Sequence, residues 1–360
     1  MTNPPRFDLR QIAFPHSVRE YHDMPVIEVF FVTNRAELPG GQGGDFSNSS
    51  GEALAYGVAE VRIPAKFRMT DVQRPEIARG VVDDWSAAVL GVDTLTPAEF
   101  HSRLQARLAA CGSANATLFV HGIQHSFDSA VRYGGALAFS LNLPQPMVVF
   151  AWPSDPNLSR AAYNRSREQV PQAARSLAEF LRSEGPQNFD IIGHSLGCKV
   201  VCRAIADIAQ NRPVTEAPAP GKDVANLVLA APDVEVADFS TAFLGYLAAT
   251  ARHTTVYVAR NDHALFFSSL LNGGQRAGSG LGPDTAIEVL FDNDAGDTAS
   301  LEIIDATFVN NVFTSHGYFV QNRAALADLQ NLLRNDIPAC QRQLLRHERA
   351  MHANYWIIPP

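Results

Sequence analysis

Apolar residues in this chain alternate between short unbroken runs and longer stretches in which they recur every three or four positions. The short runs are rich in β-branched and aromatic residues. They predict buried strands at Val26–Val32, Ala116–Val120, Met147–Ala151, Phe189–Ile192, Ala225–Ala231, Thr254–Ala259 and Leu301–Ile304. The recurring stretches predict helices at Pro97–Ala110, Ser126–Leu141, Leu158–Ser183 (despite Pro171), Leu196–Ala209, Val236–Ala249, Ala264–Leu271 and Arg323–Leu333. Thr96 with Glu99 three residues later predicts a capping box on the first of these. More extended structure is expected at Leu54–Ile63 and Val81–Val92. Strands and helices in regular alternation specify right-handed crossovers, and so an α/β architecture with a mostly parallel central sheet and helices on both faces.

Three glycine- or proline-rich stretches punctuate this rhythm: LPGGQGGDFSNSSGE, Asn211–Asp223 and Asn272–Asp284. All three read as loops. The first is a poor phosphate loop, since no Lys-Ser or Lys-Thr follows its glycines. The last could act as a small lid. Residues 25–335 read as one domain, preceded by an arm (1–24) and followed by a tail (336–360). That tail, with three arginines and then Tyr355-Trp356-Ile357-Ile358, could dock a second copy of the chain as a homo-oligomer or fold back on its own domain.

Charge narrows the function. Lys and Arg number 29 against 37 Asp and Glu, a formal net charge of −8 that argues against nucleic acid or an anionic membrane surface as the main partner. Hydrophobic content of 46% is enough for a sizeable core and excludes a disordered chain. The sequence shows no signal-peptide pattern and no apolar run near the ~18 residues a span requires, so a cytoplasmic setting without a membrane span is expected. Four cysteines form no disulfide framework; Cys198 and Cys202, four apart on a helix, read as buried thiols.

The chemistry concentrates at FDIIGHSLGCKVV, where a strand runs into Gly193-His194-Ser195-Leu196-Gly197 and then a helix. Small residues on both sides of a serine permit a strained turn that lifts the hydroxyl to the carboxyl end of the sheet. A serine needs a base to take its proton and donors for the developing oxyanion. On such a sheet the acid and then the histidine follow at later strand ends. Asp262 follows the strand TTVYVA, and His316 follows LEII. Asp233 and Asp305, which follow neighbouring strands, are alternatives for the acid. The junction Val120-His121-Gly122-Ile123 offers the amide of Ile123 as one oxyanion donor, and the residue after the serine offers that of Leu196. His121 reads as a brace for this loop.

These segments resemble the α/β-hydrolase superfamily, and more narrowly a bacterial family of esterase- or lipase-like members of uncharacterised role. The matching pieces are FFVTNR, FVHGIQHSFDSAVR, VVFAWPSD, FDIIGHSLGCKVV, VLAAPDVEVADF, VYVARNDHAL and SHGYF, in order over residues 29–320. The resemblance implies an α/β-hydrolase fold and supports Ser195, Asp262 and His316 by position. It brings no known substrate. Members commonly carry an aromatic residue after His-Gly, where this chain has Ile123. Only the 22 residues between Ala231 and Thr254 are free for a cap, room for one helix and no large cap domain. Together these features lead us to expect a serine hydrolase of carboxylic esters that acts on a small-molecule ester without cofactor or metal. The same residues would serve amide or thioester cleavage or acyl transfer. A binding protein on a hydrolase fold would be expected to have lost one of the three.

Overall fold

A computed structural model describes residues 18–21, 24–39, 44–64, 67–69, 86–157, 159–183, 188–211, 224–280, 301–310, 316–346 and 355–360. Twelve strands among them form one sheet. In chain order they are β1 (Val18–Tyr21), β2 (Met24–Glu37), β3 (Phe46–Arg62), β4 (Ala88–Leu95), β5 (Asn115–Val120), β6 (Met147–Phe150), β7 (Asn188–His194), β8 (Val224–Ala230), β9 (Ala251–Val258), β10 (Leu301–Asp305), β11 (Leu345–Arg346) and β12 (Tyr355–Ile357). Their order across the sheet is β11-β12-β10-β9-β8-β7-β5-β6-β2-β3-β4, with β1 against β2. From β12 to β2 every neighbouring pair is parallel; β1, β3, β4 and β11 add antiparallel edges.

The parallel strands β6, β8 and β10 are buried end to end, because helices cover both faces. On one face lie α1 (Pro97–Cys111), α3 (Arg160–Ser183) and α4 (Leu196–Gln210), packed through Phe100, Leu104, Leu177 and Ile205. On the other lie α2 (Phe127–Leu141) and the helix Arg323–Asn335, packed through Val131, Leu137, Leu329 and Leu332. Thr96 and Glu99 close the expected capping box on α1, and Ser126 caps α2. Pro171 is accommodated within α3.

Three expectations are corrected. The stretch read as a loop before Leu54 is strand from Phe46 onward, because β3 continues along β2 through two register shifts near Arg35. The single helix expected at Val236–Ala249 is broken into α5 (Val236–Asp238), a π turn (Phe239–Phe243) and α6 (Leu244–Thr250). Here the hydroxyls of Ser240 and Thr241 donate back to the carbonyls of Val236 and Ala237, competing with the helical ladder. Phe239, Phe243 and Leu244 on this segment belong to the buried core. The third concerns only the start of the stretch read as a possible lid. Residues 275–278 are pinned by backbone bonds between Val236 and Gln275, Ala277 and Val234, Gly278 and Pro232, and Ala259 and Gly278, so the start of that stretch is a fixed part of the sheet rim. Its residues 281–284, like most of Asn211–Asp223, lie outside the described residues.

The tail folds back on its own domain. β12 pairs with β10, and the Tyr355 hydroxyl donates to Asp305. No helix among the described residues is long and apolar enough to cross a membrane.

Candidate active site

The turn between β7 and α4 places Ser195 at φ 54°, ψ −124°, a strained conformation for a residue with a side chain. Two close approaches explain the flanking glycines. A Cβ on Gly197 would sit 2.4 Å from the carbonyl oxygens of Val120 and His121, and one on Gly193 would sit 3.1 Å from Cα of Cys198. The strain is held from both sides: the Ser195 amide donates to Ala230 and its carbonyl accepts from Cys198 and Asp233.

The loop after β5 comes against this turn. A Cβ on Gly122 would meet that of Ser195 at 2.9 Å. Among the described residues, the amides of Ile123 and Leu196 make no hydrogen bond, and Leu196 is the first residue of α4, where amides have no partner within the helix. Two unpaired donors thus flank the serine. The loop is rigid: His121 stacks on Trp152 at 5.5 Å, the Trp152 indole donates to the His121 carbonyl at 2.7 Å, and Gln124 and His125 are bonded to Asp155 and Ser154. His121 therefore braces the loop, and burial holds its pKa well below the ordinary histidine value. His125 is pushed down to about 3 by loss of solvation and by the charges of Arg35 and Arg132.

Asp262 caps α7 (His263–Asn272), a helix that starts just past the end of β9. One carboxylate oxygen accepts from the Leu265 amide at 3.1 Å, and the other accepts from His316 Nδ1 at 2.7 Å. Asn261 ties this loop to the one after β10 through Thr307 and Asn310. His316 lies beside the elbow, because His194 Nε2 donates to its carbonyl at 3.1 Å and the two rings are 5.0 Å apart. With its Nδ1 proton committed to Asp262, His316 keeps Nε2 available. Burial alone would lower its pKa, but the charge of Asp262, their hydrogen bond and the nearby Asp233 outweigh it and raise the value above the usual one.

Neither of the other two acids is bonded to His316. Asp233 is buried and accepts from Tyr163 (2.8 Å) and Ser268 (2.7 Å), with the Arg276 guanidinium at 3.4 Å. It ties α3 and α7 together. Asp305 accepts from the Tyr355 hydroxyl and the Thr307 amide, both at 2.8 Å, and so shapes the loop after β10.

One residue of the site had no role assigned from sequence. Arg35, buried at the end of β2, donates to the carbonyls of Ala151, Trp152 and His125, and to Ser47 and Asn48 of β3. It joins the serine-facing loop, the end of β6 and the extended edge of β3. Its only sequence signal is an arginine closing an apolar strand in VTNR, where a charge is costly unless fully paired.

A mostly parallel sheet flanked by helices, with a strained serine after β7 and an Asp–His pair after β9 and β10, defines the α/β-hydrolase class. The chain belongs to a family of alpha/beta hydrolases of unknown function, DUF900, whose model matches residues 96–335. No curated protein and no solved structure matches it.

Proposed function

We propose that this hydrolase cleaves carboxylic esters through an acyl-enzyme formed on Ser195. His316 Nε2 takes the Ser195 proton as Oγ attacks the ester carbonyl. The imidazolium formed is stabilised by Asp262, and the oxyanion is received by the amides of Ile123 and Leu196. Collapse breaks the bond to the alkoxy oxygen, which leaves as the alcohol with the proton from His316. Water, deprotonated by the same histidine, then attacks the acyl-enzyme; the carboxylic acid leaves and Oγ recovers its proton. The observation that carries this reading is the 2.7 Å bond between His316 Nδ1 and Asp262 beside the strained Ser195 turn. It fixes the tautomer a general base requires.

A panel of p-nitrophenyl esters of increasing acyl length, run with a fluorophosphonate probe, tests it. Hydrolysis and labelling by the folded protein, both lost in Ser195→Ala, are the expected result. A folded wild-type protein that neither hydrolyses nor labels would overturn the reading in favour of a binding protein on this fold.

A further inference from the structure

The first residue of α4 faces two ways. Its amide lies beside Ser195, and the same residue lines a groove of about 460 Å³ between α3 and α4, bordered also by Asn164, Arg167, Val170, Lys199 and Arg203. Of the three cations, one is unpaired among the described residues and two have weak or neutral partners. Among the described residues, Arg203 has no hydrogen-bond or ion-pair partner. Lys199 is mostly buried and reaches only the half-exposed Asp238, at 3.4 Å. Arg167 donates to the neutral amide of Asn272 and lies 6.0 Å from the Tyr163 ring. Glu168, exposed, is the one acid on the lining. The lining carries three cations and one carboxylate, with Asp238 beside Lys199 as a second, on a chain of net charge −8.

Spacing gives the groove a direction. Lys199 and Arg203 lie three and seven residues beyond Leu196, about 5 and about 10 Å along the helix axis. A ligand whose reacting carbonyl sits at Ser195 would meet positive charge at both depths, over an apolar floor of Val170 and Leu196. Holding an unpaired Arg203 and a mostly buried Lys199 with a single half-exposed partner beside a buried apolar floor costs solvation, which an anionic ligand group recovers through charge-assisted hydrogen bonds.

We propose that this groove receives an anionic group of the substrate, so that the preferred esters carry a carboxylate or phosphate separated from the scissile carbonyl by a short apolar spacer. The inference rests on Ser195 as nucleophile for its direction, but not for the anion site itself.

The test compares p-nitrophenyl monoesters of glutaric and suberic acid with their methyl-capped diesters, and adds an acyl chain of the suberyl length ending in a phosphate monoester. The expected result is a kcat/KM for the free acid or the phosphate about tenfold above the capped ester, carried by KM and shrinking at high salt. In Arg203→Gln and Lys199→Met that ratio should collapse toward one, and the better of the two anions identifies the group. Direct binding of suberate and of octyl phosphate to the wild-type protein, measured by titration calorimetry, is the second readout, expected to weaken in Arg203→Gln. Hydrolysis of neutral esters with Ser195 labelled but no anion preference would overturn the groove assignment and leave the nucleophile standing. If no ester is cleaved, anion binding that weakens in Arg203→Gln would still support the groove, and absence of binding would overturn it.

Discussion

His316 is the residue where the site's electrostatics can be read from outside. Its folded pKa is raised above the ordinary histidine value, and the proposed mechanism needs it neutral before it can take a proton. The acid limb of kcat/KM should therefore have an apparent pKa above about 6.5. Asp262→Asn removes the charge and the acceptor that raise it. In that variant the limb should move to lower pH while kcat falls by about three to four orders of magnitude. The pair also carries stability: its contribution is complete below the unfolded value near 6.5 and is lost as pH rises through the raised folded value. A pH series of activity and of urea midpoints, with wild type and Asp262→Asn side by side, checks both signs. An unshifted limb in Asp262→Asn would mean another group sets the base.

At the scale of elements, the site depends on how closely strands, turns and helices approach. Gly197→Ala would drive a methyl into two backbone carbonyls that cannot yield, and should cost about 3 kcal/mol or prevent folding. Gly245→Ala, in α6 with nothing near its added methyl, should be neutral or stabilise by up to about 1 kcal/mol. Thermal unfolding of the two variants measures the contrast. Arg35→Met would remove one of the two donors to each of the buried carbonyls of Ala151, Trp152 and His125, leaving Ala151 to the Thr33 hydroxyl, Trp152 to the Ser154 amide and His125 to the Ser154 hydroxyl. It should cost about 1 to 3 kcal/mol in urea unfolding and reduce kcat beyond KM by loosening the loop that holds Gly122 and Ile123. The elements themselves were largely legible in sequence. Repeated β-branched runs mark strands buried on both faces, and Thr96–Glu99 and Ser126 mark helix starts by local hydrogen bonding. The elements misread were those decided by neighbours. Phe46–Gly51 looks like a loop by its serines and glycine, yet it is strand because β2 and the Arg35 side chain supply its partners.

For the whole molecule, the tail matters most. Arg342 is fully buried between Glu302 and Asp328, and the Tyr257 hydroxyl also donates to Asp328. β12 covers the open edge of β10. Ending the chain at Asn335 would leave two buried carboxylates without their cation and a hydrophobic strand edge exposed. The truncated chain should lose several kcal/mol, a Tm drop on the order of 10 °C, and should aggregate. Unchanged melting would mean the tail does not support the sheet, and calorimetry with gel filtration would show it.

The α/β alternation, the elbow around Ser195 and the chain order serine, aspartate, histidine follow from the sequence alone. Each is encoded by local pattern: periodicity, small residues at a tight turn, and polar residues placed after strands. Three things were decided only by the fold. The choice of Asp262 over Asp233 and Asp305 as the partner of His316 is one, because all three follow strands and differ only in what packs against them. The buried clamp of Arg35 is another, made by carbonyls from distant segments. The third is the cationic groove between α3 and α4, which exists only because two helices far apart in sequence lie side by side on the same face of the sheet.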